Sequence, residues 1–383
     1  MDRRQFIGNL ARAGAGVAAL STLSPVTRRA IAAAAVAPPG VIVRNDWPEH
    51  WETSLAALDR SPLTPADVFF VRSHFPVPEI DPNTWRLEVA GLARTPLSLA
   101  IGELRALPPR ERECVLECAG NGRARYELPS TSGTQWQLGA VGNARWRGVP
   151  LADVLKRAGI PSAAKHVWFE CADRAPLDPT PRFLRSIPIE KAMQDVLLAT
   201  HMNGAPLTGL HGAPLRAIVP GWFGMASAKW VTRIRLEAAP SDNHFMVRGY
   251  RYNYPGVDPA NAEPVQALRV KSLITAPLEG AAVPAGPLEV RGFAWAGEAG
   301  VAKVDLWTET AEAGISATPA VLAPRASKFA WRPWKATLAI ESGQTLDLSA
   351  HAIDGHGNKQ PEVARVNAGG YGNNSIHAVR IHA

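Results

Sequence analysis

The chain has 383 residues, 46% hydrophobic and 20% charged, and carries a net charge of +7 from 41 Lys and Arg against 34 Asp and Glu. That length exceeds one ordinary core and predicts two domains plus a tail, and the composition excludes a disordered or fibrous chain. The positive charge is scattered without a basic run, which argues against nucleic acid and for an anionic substrate, cofactor or partner.

At the N-terminus, Asp2-Arg3-Arg4-Gln5-Phe6-Ile7 is a twin-arginine signature, followed by an apolar stretch over 8–23 and Ala-rich sequence over 30–37. Residues 1–37 are therefore read as a signal peptide and tail. Twin-arginine export serves mainly proteins that fold, often around a cofactor, before crossing the membrane, so the expected location is the periplasm. Only Cys114, Cys118 and Cys171 occur, and three thiols in an oxidising compartment cannot all pair. At least one needs burial or ligation. Beyond the signal, no segment is long and apolar enough to span a membrane.

A first domain is expected over 41–256. Residues 68–78 read as a strand entering a proline-stiffened loop, with Arg72 and His74 at spacing two, able to face the same way. Residues 85–92 alternate like a half-buried strand, and 151–158 carry a helical period closed near Gly159. A strand over 167–173 ends at Asp173, and 189–200 resemble a helix and a strand. Glu113-Cys114-Val115-Leu116-Glu117-Cys118-Ala119-Gly120-Asn121-Gly122-Arg123 is a short buried strand ending in a tight turn. It puts Cys118 at the strand end, with Arg123 just beyond to lower the thiol pKa or hold an anion. Residues 211–221 bracket an apolar strand with His211 and Arg216. Met225-Ala226-Ser227-Ala228-Lys229-Trp230 is a small-residue loop that allows close backbone approach, with Lys229 as a point charge. Arg248-Gly249-Tyr250-Arg251-Tyr252-Asn253-Tyr254 is crowded with phenols and guanidiniums. Short strands and isolated helices, without a βαβ repeat or G-x-G-x-x-G, predict an α+β class. Cationic side chains on loops suit a large phosphorylated cofactor.

A Pro-rich linker over 254–264 precedes a second domain expected over 264–383. Strand-like runs over 270–274, 288–295, 301–308, 334–340, 345–353 and 376–381, divided by Gly, Pro and Asp, predict an all-β antiparallel sandwich of Ig-like size. Asp354-Gly355-His356-Gly357-Asn358 is read as a turn, without partner ligands for His356.

Arg72-Ser73-His74, Glu117-Cys118-Ala119-Gly120-Asn121, the run from His211 to Arg216, and Ser227-Ala228-Lys229-Trp230 occur in this order. Together they resemble the sulfite oxidase family of molybdopterin enzymes, over nearly the whole mature chain. The resemblance implies a sulfite-oxidase-type molybdopterin domain, one molybdenum, and Cys118 as its thiolate ligand. It further implies Arg72 and Arg123 in the oxyanion pocket and Tyr250 as the active-site tyrosine, with Tyr252 as the alternative. Contacts to the molybdopterin fall on Arg72, Ser73, His74, Asp173, His211, Arg216, Ser227 and Lys229. Cys114 and Cys171 match no ligand position and are expected to be buried thiols. The implied reaction is oxygen-atom transfer to sulfite, with electrons leaving to an external acceptor such as a c-type cytochrome, in a homodimer held by the second domain. One departure stands out. The third pocket arginine of the animal enzymes is replaced by Gly369, in a Gly370-Tyr371-Gly372-Asn373-Asn374 context that resembles sulfane dehydrogenase-like proteins. This keeps a sulfane, another oxyanion or a sulfoxide open as substrate. Readings from other classes are a cysteine hydrolase using Cys118 with His211 and a secreted binding module on the sandwich.

Overall fold

The structure, a computed structural model, describes residues 37–126, 131–177, 179–310 and 314–383. The twin-arginine signature lies outside the described residues.

Two five-stranded sheets carry the first half of the fold. One orders Ala205–Pro206, Leu197–Met202, Val141–Pro150 and Arg110–Glu117, with Arg216–Ile218 also pairing Leu197–Met202, all antiparallel. The other orders Leu97–Ala100, Arg86–Gly91, Val231–Glu237, His166–Cys171 and Leu184–Pro188, antiparallel except where Arg86–Gly91 meets Val231–Glu237. A small sheet of Val41–Asn45, His50–Thr53 and Val71–Arg72 sets His50 opposite Arg72. Among the described residues, helices are few and short. The longest among the described residues, Leu151–Ala158, buries Leu151, Val154, Leu155 and Ala158 and stops at Gly159, whose φ of +73° suits a residue without a Cβ. The predicted mixture is thus present but weighted toward sheet.

The strand Arg110–Glu117 shows why the cysteine segment reads as buried. Val115 joins one apolar cluster, while Cys114 and Leu116 join another on the opposite face, so the strand is covered on both sides. The expected strand over 68–78 is shorter than its sequence suggested. Only Val71–Arg72 pairs, and the chain beyond it runs as the predicted proline-rich loop.

The second half is a two-sheet sandwich. Lys271–Ala276, Gly286–Trp295, Arg332–Ile340 and Val321–Leu322 form one sheet. Ala281–Ala282, His377–His382, Thr345–Asp354, Val301–Thr310 and Gly314–Pro319 form the other. All six expected strands are present, and the short pieces Ala281–Ala282, Gly314–Pro319 and Val321–Leu322 were not anticipated. Val290, Ala294, Ala336 and Ile274 face Val304, Leu306, Leu348 and Val379 across the interior. The opposite face of the first sheet does not meet water. Leu273, Phe293 and Trp295, one strand position away from Ile274 and Ala294, join the core of the first half. The period-two alternation of these strands therefore serves two cores. Asp354–Asn358 is the turn expected, its Asp354 carboxylate accepting from the His356 and Asn358 amides, with His356 exposed.

Candidate active site

Cys118 follows directly on its strand. Its amide donates to the Ala140 carbonyl (2.9 Å) and its carbonyl accepts from the Asn121 amide (2.9 Å), closing the turn. Gly122, at φ +86°, lets the chain leave in a 3-10 turn over Arg123–Arg125. Cys118 then faces a cleft lined also by Arg72, Ser73, His74, Asp173, His211, Arg216, Ser227, Lys229 and Tyr250. These ten residues come from strand ends and loops more than 170 positions apart in sequence.

Its electrostatics are one-sided. Arg72, Arg216 and Lys229 face a single carboxylate, Asp173, whose own pKa burial pushes up to about 6 despite the nearby Lys229. Burial, reinforced by Arg216 and Arg72, holds the Lys229 ammonium well below its ordinary range, and burial lowers Arg216 to about 10. Arg72 Nη1, Arg216 Nε and Asp173 Oδ1 are buried without hydrogen-bond partners. Orphaned cationic donors of this kind are costly unless an anion meets them. A phosphorylated cofactor meets that demand, and the Cys118 thiol offers a soft ligand beside it. The residues present fit molybdopterin with molybdenum.

Other polar groups hold the wall in shape. Lys229 Nζ donates to Ser73 Oγ (2.8 Å) and to the Leu210 carbonyl (3.1 Å). Ser227 Oγ accepts from the Val219 amide (3.0 Å). His211 donates through Nε2 to the Ala66 carbonyl (2.7 Å), so that nitrogen is not available as a base for Cys118. Tyr250 adopts φ +55°, unusual for a side chain of its size, and turns its hydroxyl onto His74 Nε2 (2.7 Å). Burial keeps both neutral, raising Tyr250 to about 12 and holding His74 well below its usual value. Tyr250, not the alternative Tyr252, lines the cleft. Tyr252 stacks on Tyr254 and packs under Arg269.

Arg123 is the one site residue that the structure does not bring to the cleft. Its Nε and Nη2 donate to the Gly369 carbonyl (3.0 and 2.9 Å) and its Nη1 to the Thr134 carbonyl (2.7 Å). The guanidinium also lies over the Tyr371 ring (5.5 Å), which stacks in turn on Tyr250 (5.2 Å). Gly120 explains the placement, because a Cβ there would sit 2.6 Å from the guanidinium carbon. The position expected to lack an arginine is similarly constrained. A Cβ on Gly369 would come within 2.2 Å of the Tyr371 ring.

Several contributors escaped the sequence reading. His50 donates to the Ser73 carbonyl (2.8 Å) and accepts from Thr134 Oγ1 (2.8 Å), and Phe183 stacks on His74 (4.2 Å). Their only sequence signal was chemistry without a spacing, since each reaches the site through a different strand or loop. Cys114 and Cys171 are buried free thiols as expected, with pKa values raised by burial, to about 12 for Cys114.

Residues 74–245 match the family model for an oxidoreductase molybdopterin binding domain, and residues 262–383 match that for a Mo-co oxidoreductase dimerisation domain. Sulfite oxidase of Gallus gallus is 36% identical over 339 residues, covering 85% of this chain and 73% of that protein. Sulfite oxidase of Arabidopsis thaliana is 33% identical over 350 residues, covering 85% of this chain and 88% of that protein. The solved structure of the sulfane dehydrogenase SoxCD from Paracoccus pantotrophus superposes with a TM-score of 0.77 at 26% identity, over 96% of this chain and 92% of that one. With ten of the residues implied by the motifs gathered on one cationic cleft, these matches make the chain a molybdopterin-dependent oxidoreductase that belongs to the sulfite oxidase family.

Proposed function

We propose that the protein oxidises sulfite to sulfate and passes the electrons to an external acceptor such as a c-type cytochrome. The observation that carries this reading is the buried Arg72 Nη1, unpartnered in the cleft that also contains Cys118. Such a donor calls for an anion, and beside the cofactor phosphate a small oxyanion substrate supplies one. The bound molybdenum cofactor supplies the redox change and the oxygen-atom transfer. The chain supplies the setting. Cys118 ligates the metal, and Arg216, Lys229, His211, Ser227, Ser73, His74 and Asp173 hold the pterin and its phosphate. Arg72 binds and orients the oxyanion, and the neutral Tyr250–His74 pair keeps a polar hydrogen at the cleft without adding charge. Phe183, Met225 and Trp230 line the same cleft and limit water around the reacting groups.

A second reading, dehydrogenation of a sulfane sulfur, is favoured by one specific feature. With Gly369 in place of an arginine and Arg123 engaged by backbone carbonyls, the mouth is less positive than three arginines would make it. The similarity to a sulfane dehydrogenase points the same way. Twin-arginine export to the periplasm, assembly as a homodimer through residues 264–383, and an Ig-like strand connectivity for that domain complete the proposal. The first is supported by the sequence of residues 2–7, the second by the match to a dimerisation domain.

The test is metal analysis of the mature protein coupled to a sulfite-dependent ferricyanide or cytochrome c reduction assay. Molybdenum near one per chain with sulfite turnover is expected. Molybdenum without sulfite turnover, but with turnover of a sulfane compound, would replace the first reading by the second.

A further inference from the structure

The conspicuous polar cluster outside the cleft lies between the two halves of the molecule. Glu117, the residue before the thiolate, is almost completely buried, yet it points away from the cleft toward the second domain. Its Oε1 accepts from Lys271 Nζ (3.0 Å) and Asn121 Nδ2 (2.9 Å), and its Oε2 accepts from Trp295 Nε1 (2.9 Å). Lys271, Trp295 and Asn121 are each no more than 2% exposed. Lys271 and Trp295 are register partners on adjacent antiparallel strands, so the sheet presents both donors side by side on the face turned to the first domain.

This cluster grips the backbone that carries Cys118. Asn121, held by Glu117, closes the turn through its amide on the Cys118 carbonyl and anchors Ala140 through Oδ1 (3.1 Å). The Ala140 carbonyl in turn receives the Cys118 amide (2.9 Å). Both peptide groups of Cys118 therefore end on residues tied to Glu117. Three residues before Cys118, Val115 donates to the Phe329 carbonyl (3.0 Å), a second grip from the same domain. An apolar pair of equal volume would bury these side chains at no greater cost, so a buried, hydrogen-bonded ion pair here is better explained by orientation than by stability.

We propose that Glu117, Lys271 and Trp295 form a cross-domain brace that positions the Cys118 thiolate, making the second domain part of the metal site. This rests on Cys118 being the metal ligand. None of the three touches the cleft, so they are positioning residues, and the brace should act on the metal's electronic state and on kcat while leaving KM alone.

The decisive variant is Glu117→Gln/Lys271→Met in the full-length, molybdenum-loaded protein. It removes both charges together and keeps one carbonyl oxygen, which can accept from Asn121 Nδ2 or from Trp295 Nε1 in place of the two carboxylate oxygens. At unchanged metal content, the thiolate-to-molybdenum absorption and the Mo(V) paramagnetic signal are expected to shift. The kcat should fall on the order of tenfold, as small misplacements of reacting groups do, with KM within about twofold. Unchanged spectra and kcat in the loaded double variant would overturn the proposal and reduce the brace to domain adhesion. If that variant fails to fold or load, Trp295→Phe decides. It deletes one hydrogen bond while keeping most of the ring, and an unshifted spectrum would likewise overturn the brace. The spectra need no substrate, so a wild-type protein that holds molybdenum but ignores sulfite refutes the substrate reading and leaves this test intact.

Discussion

Arg123 offers the sharpest separation between what its sequence position implies and what its surroundings impose. Arg123→Lys keeps the charge but replaces a planar fork, which bonds the Gly369 carbonyl twice (3.0 and 2.9 Å) and the Thr134 carbonyl once (2.7 Å), by an unforked ammonium that loses the paired bonds to Gly369 when it keeps Thr134. Hydrogen bonds from charged groups contribute roughly 1.5–3 kcal/mol each, so losing two costs about 3 kcal/mol. The loss falls on the docking of the segment around Gly369–Gly372 against the cysteine turn. About 3 kcal/mol multiplies the opening equilibrium of that segment by roughly two orders of magnitude. The assay is native-state hydrogen exchange at the amides of Gly370 and Gly372, bonded to the Asn367 and Ala119 carbonyls at 2.8 Å, with sulfite kinetics in parallel. Faster exchange at these two amides, with KM changed only modestly, is expected. Unchanged exchange together with a tenfold or larger rise in KM would refute the reasoning and return Arg123 to the oxyanion.

Cys118→Ser should fold normally, because Cys118 is only partly buried, but lose turnover and the thiolate-to-metal absorption. Full turnover with stoichiometric molybdenum would remove it from the metal. Gly369→Arg is expected not to restore a third pocket arginine. Its Cβ would meet the Tyr371 ring at 2.2 Å, so thermal stability should drop and the sulfite KM should not fall. A stable variant with a lower KM would show that Tyr371 yields. His377, buried and accepting the Ile274 amide at Nδ1 (3.0 Å), is lowered by burial to about 3 from an ordinary 6.5. The unfolded chain thus binds the extra proton between these values, and stability rises with pH through that window. Its contribution is complete above pH 6.5 and is lost, at up to about 1.4 kcal/mol per pH unit, as pH falls toward 3. Urea midpoints measured from pH 7 to 4 should fall less steeply for His377→Asn than for the wild type, and equal slopes would contradict the assignment.

Local chemistry explains what the sequence revealed. Gly159 and Gly122 mark the end of a helix and the exit of a turn because their φ values are open chiefly to glycine. The six main strands of the second half were visible as alternation because one side of each faces an apolar interior. The edge pieces Gly314–Pro319 and Val321–Leu322 were not, since exposed strands with small residues carry little pattern. The ordered blocks around Arg72, Cys118, His211 and Ser227 led to the family because a cofactor constrains residue types at its contacts.

Direction and partnership were another matter. By itself the sequence determined that Cys118 ends a buried strand, that cationic loops gather around an anion, and that a sandwich follows a proline-rich linker. Only the tertiary structure decided that Arg123 turns to the Gly369 and Thr134 carbonyls, that Tyr250 and not Tyr252 lines the cleft, and that Glu117 is held by Lys271 and Trp295. A strand's pattern tells which face is covered. It does not tell what covers it, and each of these outcomes depends on a partner more than ten positions away, in the case of Glu117 more than 150.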